Sequence, residues 1–263
     1  MDLGLKDKVA IVSGGNKGLG AACAVSLANE GAKVFLTARN EDDLKNVASE
    51  ISAESSVEVG TLALDITEDG AGNKIVTAAL EKFGRIDIVV NGAGAARGGS
   101  FLTVEDQVYR DAFELKFLGA VRLCRAAIPH MQAQKYGRIV NIIGMFGREP
   151  AKQALPASAV NAAFMTINKG LSQEYGGDGI FVNAVDPGPT RSERILRLFA
   201  DMAEANGTTP EELENGFRQQ IPIGRLGEME EVARIVTFLA SDAAGNLNGT
   251  VIPVDGGMVK GIF

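Results

Sequence analysis

A doubly wound α/β domain built on a parallel sheet is the fold class that this sequence predicts, on three observations. Seven short β-branched runs are apolar at nearly every position, longer helical patterns separate them, and a glycine-rich turn joins the first run to the first helical pattern. Strands apolar on both faces need cover on both faces, which helical crossovers over a parallel sheet supply. The runs lie at 9–13, 33–38, 58–64, 86–91, 138–143, 181–185 and 251–254. No Pro/Ser/Gly-rich linker, internal repeat or low-complexity tract breaks the alternation, so 1–263 reads as a single domain.

The first run, Val9-Ala10-Ile11-Val12, passes into Ser13-Gly14-Gly15-Asn16-Lys17-Gly18-Leu19-Gly20, and a helical stretch follows over 21–30. Glycines at such a turn let main-chain N–H groups and the helix N-terminus close on a pyrophosphate, which makes Gly14, Asn16, Lys17, Gly18, Leu19 and Gly20 a candidate phosphate cradle. Glycine-rich turns also end ordinary strands, so context decides between the two. The second run ends in Leu36-Thr37-Ala38-Arg39, without the acid that would accept hydrogen bonds from the ribose hydroxyls of NAD. Arg39 can instead pair with a 2′-phosphate, with Lys17 as a second cation, which favours NADP(H) over NAD(H). The alternative is that both are solvated surface charges. Glu41, Asp42 and Asp43 read as first-turn helix charges.

Asp65-Ile66-Thr67 follows the third run, Asn91-Gly92-Ala93-Gly94 the fourth and Pro187-Gly188 the sixth, all at strand carboxyl ends. The rhythm breaks at about 189–223, where two helical patterns separated by Asn206-Gly207 replace a simple loop. Placed after a strand's carboxyl end, this insertion is expected to be a helical lid over the substrate. Arg191, Arg194 and Arg197 open it at three-residue spacing, either to meet an anionic substrate or as a solvated helical face.

Together with Val254-Asp255-Gly256-Gly257, these motifs resemble the short-chain dehydrogenase/reductase family over essentially the whole chain. The resemblance implies a Rossmann fold, with Asp65 and Ile66 bordering the adenine and Asn91, Ala93 and Gly94 beside the cofactor. It also implies that Pro187, Gly188, Thr190 and Ser192 flank the nicotinamide. The family's reductases use an Asn on the fourth helix, a Ser ending the fifth strand, and a Tyr and a Lys four apart opening the fifth helix. The flanking residues align these positions with Lys116, Gly144, Ala157 and Asn161. The three tyrosines, Tyr109, Tyr136 and Tyr175, are followed four residues later by Phe113, Val140 and Gly179, so no Tyr-Lys pair of that spacing exists.

Lys and Asn stand exchanged between the two helices. If those helices pack side by side, Lys116 can hydrogen-bond to Asn161 and polarise or protonate a substrate oxygen, its pKa lowered by desolvation. The alternative is that Lys116 snorkels to solvent or fills a structural cavity. The expectation is an NADP(H)-binding oxidoreductase with a rearranged or substrate-assisted site. Its rivals are a non-catalytic NADPH sensor or assembly subunit, and a lyase or isomerase using the same pocket. Lys152, Gln153, Met145 and Phe146 are placed by the resemblance around the pocket mouth, and a homo-oligomer, tetramer or dimer, is expected from it.

Composition fits small-molecule chemistry. The chain has 46% apolar residues and a net charge of −7, with its 26 basic residues scattered, which argues against nucleic-acid and anionic-membrane surfaces. Cys23 and Cys124 sit in apolar helical patterns and read as packing thiols. The single histidine, His130, offers no metal cluster and reads as a surface residue. No apolar run approaches the ~20 residues of a membrane span, so a cytoplasmic location is expected.

Overall fold

The computed structural model describes residues 2–94 and 97–261; positions 1, 95, 96, 262 and 263 of the expected domain lie outside the described residues. Seven parallel strands form one sheet: β1 (Val9–Ser13), β2 (Lys33–Ala38), β3 (Val59–Ala63), β4 (Ile88–Asn91), β5 (Gly137–Ile142), β6 (Ile180–Pro187) and β7 (Val251–Val254). Their order is β3-β2-β1-β4-β5-β6-β7, so the chain reverses direction across the sheet between β1 and β4. The six strand ladders among the described residues are parallel, from Val9 opposite Lys33 to Pro187 opposite Val254.

Alternate strand residues feed two cores, because successive side chains on a strand point to opposite faces. Ala10, Val12, Val34, Leu36, Ile88 and Val90 belong to one, beneath α1 (Gly18–Asn29), α2 (Glu41–Ser55) and α9 (Met229–Leu239). Ile11, Phe35, Val89 and Ile139 belong to the other, beneath α3 (Ala71–Phe83) and α5 (Gly119–Gln134). Cys23 and Cys124 pack in these cores, where burial pushes the thiols up to about 12 and about 11.

Several boundaries differ from the sequence pattern. α1 begins at Gly18 and not at 21, which places two of the turn glycines inside its first helical turn. β4 begins at Ile88 although Ile86 is fully buried. There the Asp87 carboxylate accepts from the Val9 N–H at 2.9 Å, beside a backbone bond from the Asp87 N–H to the Val9 carbonyl at 2.9 Å. β6 runs two residues beyond 185, through Asp186 and Pro187. The fourth helical pattern is a continuous run in three parts: α4 (Asp106–Ala112), a π-helical stretch (Phe113–Leu118) and α5.

The expected lid is present as α7 (Glu193–Asn206) and α8 (Pro210–Arg218), rising from the carboxyl end of β6. It has its own small core of Phe199, Ile221 and Leu226, with the Phe199 and Phe217 rings 5.1 Å apart. Among the described residues no helix is long and apolar enough to cross a membrane.

Candidate active site

The glycine turn closes on backbone that leaves no room for a side chain at Gly14 or Gly20. A Cβ at Gly20 would lie 2.2 Å from the Gly14 carbonyl oxygen, and Gly14 itself, at φ +69°, abuts the Gly92 and Ala93 backbone at the end of β4. This packs α1 against the turn at the point where the strand order reverses, where ligands bind in open α/β sheets. The α1 N-terminus has no side-chain cap, so its first N–H groups remain for an anion. Lys17 is exposed at the Ncap position and Leu19 half-buried. Asn16 donates to the Asp43 carboxylate at 3.0 Å.

At the end of β2, Arg39 is exposed and stands 3.9 Å from Asp65. Asp65 also accepts from the Thr67 backbone N–H at 3.0 Å and hydroxyl at 2.8 Å, so it caps its own turn. The Ile66 side chain is buried in the core, so only its backbone faces the sheet end. Asn91 is buried and donates to Asn141 Oδ1 at 2.8 Å, which anchors the β4 end that carries Ala93 and Gly94. Thr190 donates from its hydroxyl to the Gly188 carbonyl at 3.0 Å, and Ser192 caps α7 by accepting from the Ile195 N–H.

Lys116 lies on the π-helical stretch, a distortion that turns its side chain across to α6 (Leu155–Tyr175). Its ammonium donates to Asn161 Oδ1 at 2.7 Å and to the Ile143 carbonyl. Asn161 is buried and donates in turn to the Gly144 carbonyl at 3.2 Å. Desolvation by burial, with Arg194 nearby, lowers Lys116 from the usual lysine range to about 7, while Asp186 opposes the shift. Gly144 adopts φ +132°, and a Cβ there would lie 3.0 Å from Asn161 Nδ2, so its backbone suits glycine alone. Ala157 sits half-buried in the first turn of α6, one turn from Asn161.

Two residues of this cluster were not singled out in the sequence. Asp186, whose side chain is fully buried, accepts from Arg148 Nε at 3.1 Å, and Arg148 also donates to the Val251 carbonyl at 2.7 Å. Burial pushes the Asp186 carboxyl up to about 6 against the opposing pull of Arg148. The available signal was an acid ending an otherwise apolar strand. Of the lid arginines, Arg191 is paired with Glu214 and Glu228, and Arg197 with Glu193 on the helix surface. Arg194 is the one within electrostatic reach of Lys116. Lys152 and Gln153 are exposed, and the Gln153 carbonyl accepts from Gly99, joining the segment after β4 to the start of α6. Met145 is buried and Phe146 half-buried, while His130 is exposed on α5.

Residues 14–259 match the family model described as enoyl-(acyl carrier protein) reductase. An uncharacterized oxidoreductase of Bacillus subtilis (strain 168) is 33% identical over 266 residues, covering 100% of both chains. A 3-oxoacyl-(acyl-carrier-protein) reductase of Salmonella typhimurium is 31% identical over 97% of this chain and 99% of its own. Among solved structures, L-sorbose reductase from Gluconobacter frateurii, complexed with NADPH and L-sorbose, superposes with a TM-score of 0.96 at 30% identity, over 100% of both chains.

Proposed function

The chain belongs to the short-chain dehydrogenase/reductase family, and on that premise we propose that it is an NADP(H)-dependent oxidoreductase in which Lys116, held by Asn161, takes the place of the family's tyrosine. NADP(H) fits the residues present. The uncapped α1 N-terminus with its glycine turn suits a pyrophosphate, and Arg39 and Lys17 supply cations for a 2′-phosphate at a corner without a ribose acid. Asn91, Ala93 and Gly94, then Pro187, Gly188, Thr190 and Ser192, form the carboxyl-end rim along which the rest of the cofactor would lie, with Asp65 and Ile66 at its adenine end. When bound, NADPH supplies the hydride.

The observation that carries the Lys116 role is its hydrogen bonding. A protonated lysine has three N–H donors, and Asn161 and Ile143 use two. The third is left for a substrate oxygen. After giving up that proton the neutral amine keeps two N–H groups for the same two acceptors, so neither state leaves them unsatisfied. A pKa of about 7 matches the working range of a general acid. The substrate is a small molecule bearing a carbonyl, imine or polarised double bond.

The test titrates NADPH and NADH by fluorescence, then follows labelled hydride to a panel of carbonyls, imines and enones. NADPH should bind more tightly, and Lys116→Met should bind NADPH normally while slowing transfer roughly 10² to 10⁴-fold. An unchanged rate in that variant removes the Lys116 role. Gly144 and Ala157, where the family has Ser and Tyr, favour a second reading as a non-catalytic NADPH-binding subunit, and tight NADPH binding with no transfer to any panel member would select it. Family membership also supports assembly as a homo-oligomer, tetramer or dimer, which light scattering would check.

A further inference from the structure

Asp186 and Arg148 are charged, mostly buried and unused by the reaction as described above. One carboxylate oxygen of Asp186, Oδ1, is buried with no hydrogen bond, a costly arrangement that a neutral side chain would avoid. Its placement gives the cost a purpose. The Ile143–Gly144 peptide lies between two opposite charges: its carbonyl accepts from the Lys116 ammonium, and the 2.9 Å bond from the Ile143 N–H to the Val185 carbonyl sets it beside Asp186, whose charged form the Gly144 N–H favours. A carboxylate at the N–H end of an amide polarises the amide and makes its carbonyl a stronger acceptor for the cation at the other end. Arg148 fixes the carboxylate from the turn after β5 and is itself tied to β7.

We propose that Asp186, clamped by Arg148, is a positioning residue that acts through the Ile143–Gly144 peptide to hold the Lys116 ammonium protonated and aimed at its partners. The proposal deepens the reading of Lys116 as the acid and rests on that reading for its catalytic meaning alone. The charged groups that face Asp186 are Arg148, Lys116 and, from the turn after β7, Asp255; those that face Lys116 are Asp186 and, from α7, Arg194. Asp186 is the sole anion in the second set, so its removal leaves Lys116 opposed only by a cation.

The experiment labels the lysine side chains of the full-length protein with ¹³Cε and ¹⁵Nζ and follows Lys116 by NMR from acid to alkaline pH, its resonance assigned by its loss in Lys116→Met. Asp186→Asn should lower the titration midpoint by about one pH unit, the scale of losing a nearby opposite charge. Arg148→Gln should move it the same way, because a carboxylate without its cation is more readily neutral. An unchanged midpoint in either folded variant overturns the proposal. Loss of folding in both makes the pair a structural clamp and overturns it equally. Turnover does not enter this readout, so a Lys116→Met protein that reacts at the wild-type rate would remove the acid role and leave the coupling intact.

Discussion

At the residue scale, the proposed acid, Lys116, trades solvation for two fixed acceptors. A general acid must be protonated, so transfer to a carbonyl should fall as pH rises through about 7, measured as kcat/KM against pH. The stability sign follows from the same shift. The unfolded lysine keeps its proton up to about 10.4. Between about 7 and that value the unfolded state binds more protons, so stability should rise with pH across this window. Lys116→Met should abolish that rise in a denaturant series, and an equal slope in both proteins would refute the low folded-state value. Arg39 is exposed and, among the described residues, makes a 3.9 Å contact with Asp65, and its proposed partner is the 2′-phosphate. Arg39→Ala should weaken NADPH by about tenfold and leave NADH nearly unchanged, the modest factor reflecting screening at the surface.

At the element scale, distortions place the side chains that regular geometry would not. The π-helical stretch between α4 and α5 carries Lys116 to Asn161, and it belongs to a sequence with no proline or glycine from Phe113 to Leu118 to announce it. β5 ends where Gly144 takes φ +132°, a conformation that an L side chain rarely adopts. Gly144→Ala should therefore cost about 1–3 kcal/mol in chemical denaturation and disturb the Asn161 amide 3.0 Å away. A Ser at this position would meet the same strain. Gly18 and Gly20 were legible as a turn because their spacing is local. Their place inside α1 was not, since only the close approach of Gly20 to the Gly14 carbonyl shows where the helix starts.

At the scale of the whole molecule, the sheet has two ends with different work. The carboxyl ends hold the candidate site. At the opposite end Arg138, nearly buried at the start of β5, is stacked between Tyr136 and Phe181 at 4.3 and 4.5 Å and bonded to Asp242 at 3.1 Å. Tyr136, one of the three tyrosines, is thus consumed in a structural cluster, its hydroxyl donating to Asp242 at 3.0 Å. Arg138→Met should destabilise by about 2 kcal/mol, through two lost cation–π contacts and an ion pair. NADPH affinity should stay unchanged, and a matching loss of cofactor binding would show that the two ends are coupled. The alternation of runs and helical patterns revealed seven strands and their cover, because strand faces and helix stripes are written in local periodicity. It also placed the lid at 189–223, whose two helices the structure contains.

The sequence by itself determined the α/β alternation, the glycine-rich turn and the absence of a tyrosine followed four residues later by a lysine, since each depends on neighbours within a few residues. It also raised the Lys116–Asn161 pairing, as a condition on how two helices pack. Only the tertiary structure decided that this bond forms, and that Asp186 pairs with Arg148 near it. Lys116, Arg148, Asn161 and Asp186 come from separate elements and loops spread over about seventy residues. Hydrogen bonds and desolvation act through space, so their pattern exists only once the chain has brought these groups together.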